Sequence, residues 1–114
     1  MDTLEIVLLY DYYGDLLTDR QKECFEMRYN QDLSLGEIGQ ALGVSRQAVC
    51  DNLTRTEALL RRMEETVGCV SRDLACRRAA KNILDAAQKL CVHPDEEVSG
   101  LAQKIRSAAK GLQE

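Results

Sequence analysis

The sequence of 114 residues has no tryptophan, one phenylalanine, one proline and one histidine. So few aromatic residues and so little proline, beside abundant alanine, leucine, glutamate and arginine, are typical of an all-α protein. The sequence also has no run of 18 apolar residues, and its apolar N-terminal stretch carries acids rather than a basic leader. We therefore expect a cytoplasmic protein with no signal peptide and no membrane insertion.

The cysteines and the histidine do not form a recognisable site. Five cysteines occur, at positions 24, 50, 69, 76 and 91, and none belongs to a C-x-x-C pair. An odd number with this spacing predicts reduced thiols that act as small apolar residues. His93 precedes Pro94 in a predicted loop and has no neighbour in the sequence for a dyad or a metal cluster. We predict no disulfide framework and no metal site.

Catalytic patterns are absent from the sequence as well. It has no glycine-rich phosphate loop, no Ser/His/Asp or Cys/His arrangement and no carboxylate pair in a cleft-like setting. Pairs such as Glu23 with Glu26 are typical of solvated helix surfaces. We predict that the protein is not an enzyme and binds no cofactor.

The stretch LGEIGQALGVSRQAVCDNLTRTEALL, residues 35–60, predicts a helix-turn-helix. Ser34 and Glu37 form a capping box that starts a short helix, whose inward residues we expect to be Ile38, Ala41 and Leu42. Gly39 leaves room for a second helix to cross, and Gly43 ends the first helix in a left-handed conformation. We expect Val44 to fill the turn and Ser45 to cap the second helix.

The second helix of this motif has one apolar side and one polar side. Steps of 100° per residue predict that its inward stripe is Val49, Leu53, Thr56, Leu60 and Met63. The opposite side carries Gln47, Asp51 and other polar residues, with Arg46 and Arg55 on the flanks. A helix with this arrangement can place its first turns in a groove of nucleic acid.

The remaining sequence predicts helices on both sides of the motif, about six in all. Residues 2–17 form a first helix with the inward set Ile6, Leu9, Tyr10, Tyr13 and Leu17, and the capping box of Thr18 and Gln21 starts a second helix that ends near Tyr29. The helix after Gly43 continues to about Thr66. Residues 1–67 then make one domain with the helix-turn-helix.

Residues 68–114 predict an alanine-rich helical hairpin that packs on the first domain or serves in dimerisation. Its first helix starts at Ser71 after Gly68, and Pro94 stands in the first turn of its second helix. We expect two inward stripes: Leu74, Ala75, Ala79, Ile83, Ala86 and Leu90 on the first helix, and Val98, Leu101, Ile105, Ala108 and Leu112 on the second.

Charge is unevenly distributed along the chain. The net charge is −4, and residues 1–32 carry eight acids against three bases. Residues 45–62, which include the second helix of the motif, carry four arginines against two acids. The positive stretch lies where phosphate contacts would be made, although the excess is small.

These residues carry a family resemblance. The stretch LLTDRQKECFEMRYNQDLSLGEIGQALGVSRQAVCDNLTRTEALL resembles the region-4 helix-turn-helix of sigma factors. The leading LLYDYYGDLLTDRQ makes the chain more similar to the small bacterial YlxM-like family. This resemblance implies a cytoplasmic helix-turn-helix protein encoded beside the signal recognition particle GTPase and its receptor, and hence a regulatory part in that targeting pathway.

The resemblance also assigns the presumed reading helix. Its residues are Ser45, Arg46, Gln47, Asp51, Asn52 and Arg55. On this hypothesis Arg46 and Gln47 reach base edges, Asn52 and Arg55 reach phosphate or base, and the Ser45 amide meets a phosphate. The expected partner is DNA, with RNA as the alternative.

A second function class is a protein-interaction module that binds a basic partner without nucleic acid, such as a protein of the targeting pathway. The acidic N-terminal third suits such a partner. The first helix has more apolar surface than one buried side needs, which favours a protein interface or a homodimer. A two-fold dimer would also supply the paired half-sites that a single helix-turn-helix lacks.

Overall fold

The computed structural model describes residues 3–113 of the chain. Six α-helices and no strand occur among these residues, which confirms the all-α prediction. The helices are α1 (Thr3–Tyr13), α2 (Asp19–Tyr29), α3 (Leu35–Leu42), α4 (Arg46–Val67), α5 (Cys69–Leu90) and α6 (Glu96–Gly111). The chain divides into two compact units, one ending at Val70 and the other beginning at Ser71.

Two clusters of buried apolar side chains hold the first unit together. One joins α1 to α2 and α4 through residues such as Leu9, Phe25 and Leu60. The other joins α2, α3 and α4 through Cys24, Ile38, Val49 and Leu53. Fully burying a side chain of this size contributes about 1.5–3 kcal/mol. The clusters therefore fix α3 and α4 against a frame made by α1 and α2.

The first helix is shorter than predicted. It ends at Tyr13, and a 3₁₀ turn, Gly14–Leu16, follows. The ring of Tyr10 covers Gly14 so closely that a Cβ there would lie 3.0 Å from a ring carbon. Most of the predicted inward set is buried, and Tyr10 is half-buried with its ring stacked on Phe25, the ring centroids 4.1 Å apart. Asp2 lies outside the described residues.

Three tyrosine–glutamate hydrogen bonds connect the helices of this unit. The Tyr10 hydroxyl donates to Glu26 at 3.0 Å, from α1 to α2. Tyr13 donates to Glu64 at 2.6 Å, from α1 to α4. Tyr29 donates to Glu57, from α2 to α4. These bonds fix the positions of the three helices relative to one another and give Tyr10, Tyr13 and Tyr29 a structural role.

The fifth helix starts two residues earlier than predicted. Gly68 is left-handed (φ 69°), and α5 begins at Cys69. The Cys69 amide donates to the Tyr13 hydroxyl at 3.0 Å, and the Val70 amide donates to Glu64 at 3.0 Å. Because these acceptors satisfy amides that a helix start leaves free, the helix can begin directly after the glycine.

In the second unit, the predicted inward stripes are wrong. Large residues of both stripes are exposed, including Ile83 (39%), Leu90 (45%), Leu101 (54%) and Ile105 (46%). The buried residues of this unit are instead alanines, namely Ala80, Ala87, Ala102 and Ala109. Each helix has an alanine row next to its row of larger apolar residues, and the buried row is the alanine row.

Candidate nucleic-acid interface

The turn between α3 and α4 is built by two glycines and one serine. Gly43 is left-handed, with φ 70° and ψ 33°, and ends α3. A Cβ on Gly39 would lie 2.7 Å from the Val44 carbonyl oxygen, so only glycine allows the turn to pass this close. The Ser45 hydroxyl accepts a hydrogen bond from the Ala48 amide at 3.0 Å and starts α4. The predicted caps are therefore present in the structure.

Two details of the motif differ from expectation. Val44 is 39% exposed and does not fill the turn, because its carbonyl group and not its side chain packs against Gly39. Ala41 is exposed rather than inward, while Ile38 is fully buried and Leu42 is half-buried. The contact between α3 and α4 thus rests on Ile38, with Leu35 and Leu42 packed beside it, and on the close approach at Gly39.

The inner side of α4 determines which side chains point outward. Val49, Thr56 and Leu60 are fully buried, Leu53 is 6% exposed, and Met63 packs beside the core. This agrees with the predicted stripe. With that side sealed, the opposite side of the first three turns of α4 is left open to solvent.

The six residues assigned to the reading helix lie on these turns. Five of them are exposed, while Asn52 is half-buried. The exposed ones are Ser45, Arg46, Gln47, Asp51 and Arg55. Arg46 and Arg55 form no ion pair with any residue that the structure describes, so both cations face solvent.

Gln47 and Asp51 interact with each other. The Gln47 side-chain amide donates to the Asp51 carboxylate at 3.0 Å, one turn further along α4. A carboxylate repels phosphate, so a direct phosphate contact by Asp51 is electrostatically unfavourable. The hydrogen bond gives Asp51 a different use, since it limits the rotamers of Gln47 and leaves the Gln47 amide oxygen free to accept.

Asn52 is held within the fold. Its side-chain oxygen accepts from the buried Thr56 hydroxyl at 3.5 Å, which is a weak hydrogen bond. The Asn52 side chain lies beside an open groove of about 360 Å³ between α4 and the start of α2. The groove residues are Thr18, Gln21, Ala48, Asp51, Asn52 and Arg55.

Thr18 and Gln21 were not expected at this surface. They form the capping box of α2, in which the Gln21 amide donates to the Thr18 hydroxyl at 3.2 Å and the Thr18 amide donates to the Gln21 side chain at 2.9 Å. The packing of Cys24 in the α3–α4 cluster brings this helix start beside Arg55. No local signal in the sequence reports a contact of this kind, because it depends on how α2 meets α4.

The described residues hold no group of three or more histidine, cysteine, aspartate or glutamate side chains arranged for a metal ion. None of the five cysteines, all of which lie in the described part of the chain, forms a disulfide, and burial raises the pKa of the Cys24 thiol. Between Thr3 and Gln113, no helix has the length and apolar character needed to cross a membrane.

Comparison with known proteins gives the family. Residues 1–98 match the model of a family described as "Putative helix-turn-helix protein, YlxM / p13 like", UPF0122. This chain belongs to the UPF0122 family. The resemblance inferred from the sequence is thereby confirmed, and the matched segment contains all six candidate residues.

Relatives in the UPF0122 family match over different lengths. A UPF0122 protein of Desulforamulus reducens is 53% identical over 95% of this chain and 86% of its own length. A second, from Halalkalibacterium halodurans, is 35% identical over 90% of this chain and 93% of its own length. A third, from Thermoanaerobacter sp. (strain X514), is 55% identical, and the match spans 62% of this chain and only 61% of the relative.

Proposed function

We propose that this chain is a non-enzymatic regulator that binds nucleic acid through the exposed side of the first turns of α4. The observation that carries the proposal is the exposure of Arg46, Gln47 and Arg55 on a helix whose opposite side is sealed in the core. The N-terminal end of a helix also offers backbone amides and a positive dipole to phosphate. Membership of a helix-turn-helix family supports the same reading.

The roles of the residues follow from their chemistry. We assign base-edge contacts to Arg46 and Gln47, which stand in the first turn of α4, and a phosphate contact to Arg55, which lines the groove. We assign a second phosphate contact to the backbone amide of Ser45. Asp51 orients Gln47, and Asn52 lines the groove.

The wider role we propose is regulation within the signal recognition particle pathway, in the cytoplasm. The support for this role is the YlxM-like resemblance alone. The ligand is duplex DNA in the first instance, and the RNA of the particle is the alternative. Both are therefore included in the binding experiment.

Fluorescence anisotropy with DNA from upstream of the gene and with the particle's RNA tests the proposal. With about four phosphate contacts, the plot of log affinity against log salt should have a slope of about −3 to −4. Arg46→Ala should cost about 1–3 kcal/mol on a specific site and relax specificity at the base pair that it contacts.

A matched control is Arg62→Ala. It removes the same charge from the same helix, but about 24 Å further along at 1.5 Å per residue. We expect Arg62→Ala to bind nearly as well as the parent chain. Absence of binding to both nucleic acids at about 50 mM salt, where phosphate contacts are strong, would refute the proposal.

A second candidate function is docking of a basic protein without nucleic acid. The observation in its favour is the exposure of three large apolar side chains on and after α1, Leu4 (78%), Tyr12 (37%) and Leu16 (69%). The acids Asp11 and Asp15 precede the last two in the sequence and are exposed as well. A lysate pull-down divided into nuclease-treated and untreated halves separates the two functions. Partners that persist after nuclease treatment, together with no binding in the anisotropy experiment, would favour docking.

A further inference from the structure

The groove between α2 and α4 is lined by residues from two helices that are distant in the sequence. Thr18 and Gln21 come from the start of α2, and Asn52 and Arg55 come from α4. Thr18 and Arg55 are exposed, while Gln21 and Asn52 are half-buried. A ligand in this groove would therefore contact both helices at once.

On the α2 side, the acceptor atoms are occupied and the donor atoms are available. The Gln21 Oε1 atom accepts from the Thr18 backbone amide at 2.9 Å, and this bond fixes the orientation of the Gln21 side-chain amide. The Thr18 hydroxyl accepts from the Gln21 backbone amide at 3.2 Å. The Gln21 Nε2 group and the Thr18 hydroxyl hydrogen donate to no residue that the structure describes.

The α4 side of the groove also offers donors. The Asn52 Oδ1 atom accepts from the Thr56 hydroxyl, which leaves the Nδ2 group to donate. The Arg55 guanidinium carries five donors and forms no ion pair within the described part of the chain. Asp51 is the acid among the lining residues, and its Oδ1 atom accepts from Gln47. Apart from this carboxylate, the groups left to bind a ligand are donors.

A groove rich in donors suits an occupant rich in acceptors. A phosphodiester has a negative charge, unesterified oxygens that accept, and no donor, so it can accept from Gln21 and Arg55 together. The edges of most bases present donors as well as acceptors and match this set less well. The Asp51 carboxylate opposes an anion, but Arg55, one helical turn further along α4, offsets that charge.

We propose that the groove seats one phosphate of the nucleic-acid backbone, held by Arg55 from α4 and by the Gln21 side-chain amide from α2. The inference rests on the proposed function and adds to it a contact outside the helix-turn-helix. Phosphate contacts fix the orientation of a protein on a duplex without reading its sequence. Because the capping box holds Gln21 in place, the seat sets the angle at which α4 meets the nucleic acid.

Gln21→Glu tests the seat without removing the cap. Glutamate is itself a capping-box residue, so its carboxylate can accept from the Thr18 amide and the start of α2 is kept. The variant replaces the Nε2 donor with a charged oxygen that repels phosphate. We expect affinity for whichever nucleic acid the parent chain binds to fall by about tenfold or more in fluorescence anisotropy. Urea denaturation should show no loss of stability.

Gln31→Glu is the matched control. Gln31 is exposed just after α2 ends, ten residues from Gln21 and about 15 Å away at 1.5 Å per residue. The Debye length at 0.1 M salt is about 10 Å, so a charge at this distance is largely screened. We expect Gln31→Glu to bind nearly as well as the parent chain. Equal losses in Gln21→Glu and Gln31→Glu would overturn the seat.

A double-mutant cycle tests whether Gln21 and Arg55 hold the same phosphate. Gln21→Met is used here, because glutamate could form a new ion pair with Arg55. If one phosphate is shared, the free-energy losses of Gln21→Met and Arg55→Ala should not add in the double variant. The salt slope should fall by about 1 in Arg55→Ala alone, since only a cation displaces a counterion. Additive losses would overturn the shared seat.

Inorganic phosphate separates a nucleic-acid seat from a general anion site. At constant ionic strength, replacing chloride with millimolar phosphate should leave the affinity for nucleic acid unchanged, because a single phosphate lacks the contacts along the rest of α4. Displacement of the nucleic acid by phosphate would overturn the proposal.

The same experiments distinguish failure of this inference from failure of the proposed function. A parent chain that binds neither DNA nor RNA would overturn both. A parent chain that binds, with its affinity kept in Gln21→Glu, would overturn the seat alone.

Discussion

At the scale of single residues, the α4 surface combines two free cations with one oriented amide. Arg46 and Arg55 are exposed and outside any ion pair among the described residues, whereas Gln47 is held by Asp51 at 3.0 Å. An amide restrained in this way loses less conformational freedom on contact with a base edge. In the proposed complex, the carboxylate that restrains Gln47 would also weaken attraction to phosphate, so it would lower affinity for any nucleic acid while favouring selectivity.

Asp51→Asn separates these two effects. Asparagine keeps an oxygen that can accept from Gln47 and removes the negative charge. We expect tighter binding to any duplex, by about fivefold, or about 1 kcal/mol. Anisotropy on specific and random DNA measures the change. Asp51→Ala is the comparison variant, because it removes the charge and also releases Gln47. The difference in affinity between specific and random DNA should then become smaller.

At the scale of the helix-turn-helix, Gly39 controls how closely the turn approaches α3. Gly39→Ala would place a methyl group 2.7 Å from the Val44 carbonyl oxygen, which is backbone and cannot rotate away. We expect the free energy of unfolding to fall by about 1–3 kcal/mol. Urea denaturation, monitored by circular dichroism, measures this free energy.

Gly36→Ala serves as the control on the same helix. A Cβ there would have only the Ser34 hydroxyl within range, at 4.0 Å. Alanine is the better helix former by up to about 1 kcal/mol. This variant should be as stable as the parent or more stable, and equal losses in the two variants would mean that the close approach at Gly39 is unimportant.

Features that depend on neighbours close in the sequence could be predicted from it. Both capping boxes, the left-handed Gly43 and the Ser45 cap depend on neighbours within a few residues, and the sequence predicts them. The inner side of α4 is also predicted, because only one side of that helix is apolar. The early start of α5 could not be predicted, because the first two amides of this helix donate to the side chains of Tyr13 and Glu64.

The hairpin shows why the remaining features could not be predicted. Each of its helices has two adjacent candidate rows, one of alanines and one of larger apolar residues. Periodicity identifies both rows but does not decide which of them is buried. For the candidate site, the sequence groups six residues on one helix but gives no sign that Thr18 and Gln21 share the groove.

At the scale of the whole molecule, the tyrosine–glutamate bonds limit the pH range over which the first unit is stable. Burial first, and then the hydrogen bond to Glu26, raises the pKa of Tyr10 from 10.0 to about 12. Burial and the bond to Glu57 do the same for the pKa of Tyr29, and burial with the bond to Glu64 does so for Tyr13. In all three, the folded state favours the protonated phenol.

The sign of the pH dependence follows from this shift. A pKa raised in the folded state gives stability that is complete below pH 10 and is lost as the pH rises toward 12. Urea denaturation at neutral pH and in steps above pH 10 should show this decline. In Tyr29→Phe the phenol cannot ionise, so the decline should be shallower; an identical decline would show that Tyr29 does not contribute.

The same three bonds have an optical consequence for a chain without tryptophan. Its intrinsic emission comes from tyrosine alone, and a carboxylate bonded to a phenol quenches that emission by accepting the excited-state proton. Separation of α1, α2 and α4 therefore brightens the chain. Intrinsic tyrosine fluorescence therefore reports the contact between these helices, and no dye has to be attached to the protein.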